Sequence, residues 1–338
     1  MKIAFPIIKA ASGSDIYFTL LSNALQNKGL NVELLWLDYS YEFIPFKHRK
    51  LYSKLNQFDI IHSNADYGFL FKPFRKPLVI TMHHNVFDPC YRPFTNPSQS
   101  FYHYGLLRHR ITRSLKQADA VVCVSRSTHL SLEQSFTIKK EATVTIHNGI
   151  DLQRFHRTTA NKPTKGKLIF VGNLSRRKGA DLLKPIMEKL GEQYTLTCIS
   201  FSPSSTIYGP NIKLLNNITV DDLVHYYNAS TMLLFPSRLE GFGYVVAEAM
   251  ACELPVVCSN TSSLPELIDN DLGGYLCTPD NIDEFVTKIR KINGSPELAQ
   301  KMGKYNREKC EREFDIEKVA EKYIAVYEKI LTKNFIEN

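Results

Sequence analysis

The chain has 338 residues, 43% hydrophobic and 22% charged, ordinary values for a soluble globular protein long enough for two domains with separate cores. That composition excludes a disordered or fibrous chain, and no apolar run approaches the ~20 residues of a membrane-spanning helix. The net charge of +8 is lopsided: residues 1–157 hold 20 Lys and Arg against 11 Asp and Glu, whereas residues 158–338 hold 22 against 23. A cationic first half suits an anionic partner.

Strand-like and helix-like patterns alternate along the whole chain, which predicts α/β architecture with parallel sheets. In the first half, apolar runs at Lys2–Ile8, Val32–Asp38, Phe58–Asn64, Leu78–His83, Ala120–Ser125 and Ala142–His147 read as strands. The clearest helix between them is Ile16–Lys28, with Ile16, Leu20, Leu21, Ala24 and Leu25 at helical spacing and Gly29 to close it. Residues 151–167 are polar, hold Pro163 and Gly166, and read as an interdomain linker. A second series of strands follows at Leu168–Gly172, Tyr194–Ser200, Ile212–Leu215, Met232–Pro236, Pro255–Ser259 and Tyr275–Cys277. Its helices are expected at Ala180–Leu190, where Pro185 predicts a kink or a late start, at Val220–Tyr227 and at Tyr244–Cys252. From Ile282 the pattern is helical, broken at Gly294-Ser295-Pro296 and near Phe314.

Seven cysteines, an odd number with no C-x-x-C pair and several inside apolar runs, read as reduced, buried thiols. A cytosolic location is the expectation that follows. The apolar stretch at the N-terminus is too short for a signal sequence and is interrupted by Pro6 and Lys9.

Two turns carry chemistry. Strand Leu168–Gly172 runs into Asn173-Leu174-Ser175-Arg176-Arg177-Lys178-Gly179 and then a helix. Free amides at a helix start, with three consecutive cations, suit a diphosphate; a solvated basic loop is the competing reading. The second turn, Pro236-Ser237-Arg238-Leu239-Glu240-Gly241-Phe242-Gly243, also joins a strand to a helix. Gly241 and Gly243 allow close backbone approach, and Glu240 and Glu248 could flank a ligand from the turn and from the helix. An exposed helix carboxylate and a loop charge are the alternative.

With these residues in view, Glu240-Gly-Phe-Gly-Tyr-Val-Val-Ala-Glu248 resembles the Glu-x7-Glu signature of the retaining glycosyltransferases of family 4. Phe170 to Gly179 resembles that family's diphosphate loop, Thr81-Met82-His83-His84 its acceptor-side histidine motif, and His147-Asn148-Gly149-Ile150-Asp151 the turn ending its first domain. Gly13 stands where the family has a glycine-rich loop. The resemblance implies that Lys178 holds a donor diphosphate, with Arg177 or Arg176 standing in for the arginine that the family carries after the loop glycine. It gives Glu240 the donor-sugar hydroxyls and Glu248 the ribose, and it places His83 beside the reacting sugar. Backbone at Gly13, Gly241, Phe242, Gly243 and Tyr244 would line the cleft. Two departures stand out: Asn173 replaces an arginine common in the family, and Ile199-Ser200-Phe201-Ser202 lacks a glycine turn expected near the base.

The resulting expectation is a GT-B fold, two doubly wound Rossmann-like domains with parallel sheets facing across a cleft. Residues 1–150 would bind acceptor, 168–312 nucleotide-sugar, and 313–338 would form a C-terminal helix whose return to the first domain is left open. The implied activity is retaining transfer of a hexose from a nucleoside-diphosphate sugar to a glycan or lipid-linked acceptor, with no cofactor and no divalent metal. Basic clusters at Phe46–Tyr52 and Leu106–Lys116, with Phe43, Phe101, Tyr102 and Tyr104 among them, suit an anionic membrane surface or simply a solvated face. Nucleic acid is not expected, since no recognition motif accompanies the charge. A nicotinamide-dependent oxidoreductase would need a G-x-G-x-x-G turn where the chain has Ala11-Ser12-Gly13-Ser14-Asp15. A non-catalytic sugar or polyanion binder is the remaining alternative.

Overall fold

The computed structural model describes every residue except 11, 43–46, 73–75, 159–162, 201–208 and 337–338. Ala11, Phe43, Phe46, Phe201 and Ser202, all invoked above, therefore lie outside the described residues. The chain forms two compact units, Met1–Gly149 with Ile316–Asn338, and Ile150–Asp315.

The first unit begins with β1 (Lys2–Ile8), α1 (Gly13–Asn27), β2 (Asn31–Leu37), α2 (Lys47–Leu55), β3 (Ile60–Asn64) and β4 (Leu78–Met82). It continues with α3 (Pro97–Tyr102), α4 (Arg108–Gln117), β5 (Ala120–Cys123), α5 (Arg126–Ser135) and β6 (Thr143–Thr145). The strands are parallel in the order β2-β1-β3-β4-β5-β6. Central strands covered on both faces are mostly apolar, and β1, β3, β4 and β5 are almost wholly buried, including the polar His62, Ser63 and Asn64 of β3. Pro6 lies in central β1, where a missing N–H should cost a ladder bond. The β1–β3 pairing stops at Ala4↔Ile61, before Pro6, and the Ser63 hydroxyl donates to the Pro6 carbonyl at 2.8 Å. The strand order reverses at this β1/β3 boundary, the position where doubly wound sheets bind ligands.

Helix α1 starts three residues earlier than its apolar spacing predicts, and its inner face is Tyr17, Phe18, Leu21, Ala24 and Leu25. Ile16 is exposed instead, because burying the two aromatic rings covers more of the sheet than burying one isoleucine.

The second unit runs β7 (Lys167–Val171), α6 (Ala180–Leu190), β8 (Thr195–Ser200), β9 (Ile212–Asn216), α7 (Val220–Ala229), β10 (Met232–Phe235) and α8 (Tyr244–Ala251). It ends with β11 (Val256–Ser259), α9 (Leu264–Leu267), β12 (Gly274–Cys277), α10 (Ile282–Asn293) and α11 (Pro296–Lys309). Its parallel order, β12-β11-β10-β7-β8-β9, is that of dinucleotide-binding folds, reversing between β7 and β10. Pro185 neither delays nor ends α6. Six cysteines are buried, while Cys90 is exposed.

Residues 151–158 are not a free tether. Phe155 is buried, the Thr158 amide donates to Asn228 Oδ1 at 2.8 Å, and the whole stretch counts with the second unit. That unit also extends to Asp315, three residues beyond the expected 312.

Helix α12 (Ile316–Ile336) returns to the first unit. A Cβ on Gly149 would meet Ile316 Cδ1 at 2.5 Å and its Cα at 2.6 Å, so the outgoing chain can pass the returning one only without a side chain. Val319, Ala320, Tyr323 and Tyr327 of α12 are buried, and Lys28 pairs with Glu321 at 2.8 Å.

Candidate functional site

At the β7/β10 switch point of the second unit, the loops following those two strands are laced together. The one-turn helix Arg176–Lys178 is capped by Ser175, and Gly179 takes φ 72°, leading into α6. A Cβ there would lie 2.1 Å from the Pro236 carbonyl oxygen, so the first loop rests directly on the second. The Arg238 amide donates to the Arg177 carbonyl at 2.8 Å, and Arg177 Nη1 donates to the Leu239 carbonyl at 2.7 Å. Arg238 ties the second loop to α6 and beyond, reaching Asp181 at 2.7 Å and Asp280 at 2.6 Å.

Glu240 lies at the centre of this lacing. Its Oε1 accepts from Lys178 Nζ at 2.7 Å and from the Ser237 hydroxyl at 2.6 Å, and Arg177 Nη1 stands 3.9 Å from Oε2. Its amide donates to Ser262 Oγ at 2.9 Å. Burial pushes this carboxyl up, but Lys178 and Arg177 outweigh burial and hold it below the ordinary carboxylate value, so it is ionised. Lys178 also sits 5.2 Å above the Phe235 ring. An ammonium has three N–H donors, and Glu240 takes one of them.

Gly243, at φ 101°, turns the chain into α8, whose first residue is Tyr244. Phe242 is buried against Tyr244 and Phe314, at 5.6 and 5.7 Å between ring centres, so its side chain is core. Glu248, one helical turn further on, is held by a different neighbour from that of Glu240. The Tyr227 hydroxyl donates to Glu248 Oε2 at 2.9 Å. Burial raises the Glu248 carboxyl to about 7, and the tyrosine bond only partly offsets that. Thus Lys178, Arg177 and Glu240 are brought together, and Glu248 is placed apart on the α7 side. Asn173, at the position where an arginine was expected, is exposed.

In the first unit, Gly13 is the exposed first residue of α1, and His83 directly follows β4. The His83 ring packs edge-on against Tyr17 of α1 at 4.7 Å and Phe18 at 5.8 Å. Its Nε2 is enclosed and meets no hydrogen-bond partner among the described residues. Burial drives the imidazole down to about 3, so it is neutral at any physiological pH.

Beneath His83 lies a polar cluster that sequence reasoning missed. His62 is fully buried, with Nδ1 2.7 Å from the Tyr327 hydroxyl and Nε2 2.7 Å from Thr81 Oγ1. The Tyr17 hydroxyl donates to that of Tyr323 at 2.6 Å. His62 lies in β3, Tyr17 in α1, and Tyr327 a further 265 residues along the chain, so no local pattern linked them. Tyr227 and Ser262, 21 and 22 residues from the glutamates they meet, were missed for the same reason.

The basic clusters are partly structural. Arg108 lies over the rings of Phe87 and Phe136 at 5.3 and 5.0 Å, and Arg110 is buried. The outward groups of this stretch are Phe101, 83% exposed, with Tyr104, Leu106, His109, Arg113 and Lys116. Tyr102 is half-buried.

Two family models match the chain: Glycosyltransferase Family 4 over residues 30–154 and Glycosyl transferases group 1 over residues 152–309. The chain is 24% identical over 309 residues to the MMP alpha-(1->4)-mannosyltransferase of Mycolicibacterium hassiacum, covering 84% of this chain and 74% of that protein. It spans between about half and two thirds of the length of the first curated relatives it matches. Among solved structures, a sucrose-phosphate synthase from Thermosynechococcus elongatus superposes with a TM-score of 0.81 at 20% identity, over 98% of this chain and all of that one. The Anabaena protein HepE in complex with UDP and glucose superposes with a TM-score of 0.76 at 17% identity, over 96% and 98% of the two chains. These likenesses show the GT-B fold.

Proposed function

Because the chain belongs to the glycosyltransferases of family 4, we propose that it is a retaining hexosyltransferase using a nucleoside-diphosphate sugar without a divalent metal. The observation that carries this reading is the Lys178–Glu240 pair at the β7/β10 switch point, between two loops that each open onto a helix start. Lys178 keeps two N–H donors for a diphosphate, and the amides entering α6 and α8 add fixed positive ends. As the glycosidic bond breaks, charge grows on the leaving phosphate, and these groups are positioned before the reaction to stabilise it. The ionised Glu240 carboxylate accepts hydroxyl protons of the sugar, and Glu248 accepts those of the ribose. HepE, a structure of the same fold, holds UDP and glucose, which favours a uridine nucleotide here.

A neutral His83 with a free Nε2 can orient a hydroxyl but cannot serve as a cationic acid. The acceptor is a glycan or lipid-linked molecule of polysaccharide or lipopolysaccharide assembly, presented at the inner face of a membrane. Exposed Phe101, Tyr104 and Leu106 beside His109, Arg113 and Lys116 suit an anionic lipid surface, and no helix of the described residues is long and apolar enough to cross one.

The test is incubation with UDP-glucose, UDP-N-acetylglucosamine or GDP-mannose in EDTA, following nucleotide release and the anomeric configuration by proton NMR. Release with an α-linked product supports the reading. A β-linked product refutes retention, abolition by EDTA refutes metal independence, and tight nucleotide binding without release identifies a non-catalytic binder.

A further inference from the structure

Glu248 is half-buried, and among the described residues no cation pairs with it. Among the described residues, the titratable groups around it are Tyr227 from α7 and Cys252 from its own helix. Arg307, Arg157 and Cys310 act electrostatically on Cys252, and Arg307 spends Nη1 on the carbonyls of Leu152, Phe155 and Ala251. The one hydrogen bond to the carboxylate comes from Tyr227, whose hydroxyl is 2.9 Å from Oε2 and 3.4 Å from the Val245 carbonyl. A phenol has a single proton, and the shorter, charge-assisted bond takes it. Tyr227 cannot swing away: it is fully buried on the inner face of α7, with the Phe155 ring edge-on at 6.4 Å. Oε2 is therefore fixed, and Oε1 accepts no hydrogen bond from the described residues.

We propose that Tyr227 is a positioning residue for nucleotide recognition, pinning Glu248 Oε2 so that Oε1 is left to accept the hydroxyls of a ribose. This rests on the donor-site reading above and adds to it the residue that sets the orientation and charge of the ribose acceptor. The carboxylate must be ionised to accept from two hydroxyls. Burial opposes that, and among the described residues Tyr227 gives the one hydrogen bond that favours it.

Glu248 is held near 7, so nucleotide affinity should tighten as pH rises through that value and level off above it. Removing the tyrosine hydroxyl leaves burial unopposed and moves the midpoint further up. Calorimetric titration of UDP and of 2′-deoxy-UDP into wild type, Tyr227→Phe and Glu248→Gln between about pH 6 and about pH 9 tests this. GDP, ADP or CDP and its deoxy form replace UDP if one of them binds more tightly.

Tyr227→Phe should bind UDP about tenfold more weakly than wild type at neutral pH, and the deficit should shrink without vanishing toward the alkaline end, because ionisation returns there but the hydrogen bond that pins Oε2 does not. Preference for ribose over deoxyribose should vanish and return in parallel. A merely structural tyrosine would weaken binding by the same factor at every pH and leave the midpoint in place; that outcome overturns the inference. If Glu248→Gln binds UDP and its deoxy form as wild type does, the ribose reading itself fails, whatever Tyr227→Phe does.

Discussion

Replacing Lys178 by methionine keeps an apolar stem above Phe235 but leaves Glu240 without its ammonium. The pair is well enclosed, with the lysine side chain 16% and the glutamate 7% exposed. Removing one partner of a buried pair costs ~3–5 kcal/mol when nothing replaces it. Here the Ser237 hydroxyl at 2.6 Å and Arg177 at 3.9 Å remain, so we expect ~2–3 kcal/mol. For a unit the size of Ile150–Asp315 that corresponds to a fall of ~4–12 °C in Tm.

The pH dependence identifies the cause. In the wild type Glu240 is held below its ordinary value, so its contribution is present above the unfolded pKa and lost as pH falls through the folded one. In Lys178→Met, burial is the larger influence and the carboxyl moves up. The folded state then favours the protonated acid, so destabilisation grows as pH rises past the ordinary carboxylate range. Thermal denaturation at about pH 5 and about pH 8 should show the larger loss at the higher pH, and Lys178→Met with Glu240→Gln should recover most of it. Equal losses at the two pH values, or no recovery in the double variant, would refute the reasoning.

Two other substitutions probe the scaffold and the first unit. Gly179→Ala places a methyl 2.1 Å from the Pro236 oxygen in a left-handed conformation, and urea denaturation should show a loss of ~2–4 kcal/mol; a neutral result would mean that the loops are not held in contact. His83→Gln should lower kcat by ~10²-fold with a smaller change in donor KM, and because the imidazole sits at about 3, neither enzyme should show a limb between about pH 6 and about pH 7 that belongs to it. A limb there that disappears in the variant would contradict a neutral, orienting histidine.

The strands were legible because most are short apolar runs covered on both faces, and even the partly exposed β2, β6 and β9 keep their β-like composition, so that all twelve lie within two residues of their expected ends. The loops after β7 and β10 were legible because strand, glycine and helix start are adjacent in sequence. Long-range partnerships were not: Tyr227 meets Glu248 across 21 residues, Lys178 meets Glu240 across 62, and His62 meets Tyr327 across 265. Hydrophobic periodicity reports which face of an element is covered, not what covers it. Helix α1 shows the limit within one element, since Ile16 fitted the apolar spacing but Tyr17 and Phe18 won the inner face. Residues 151–158 show the converse: their polar composition marked a linker but gave no sign that Phe155 is buried or that the Thr158 amide bonds to Asn228.

The central claim is that the second unit grips a pyrophosphate through Lys178 and the amides of two crossed loops. Calorimetric titration of each nucleoside diphosphate and its parent nucleoside, in EDTA, into wild type and Lys178→Met at a temperature where both are folded tests it most directly. The account predicts that one diphosphate saturates the wild type, that its nucleoside binds at least about tenfold more weakly, and that Lys178→Met erases most of this difference. A nucleoside that binds as tightly as its diphosphate, or a variant that keeps full affinity, would contradict it.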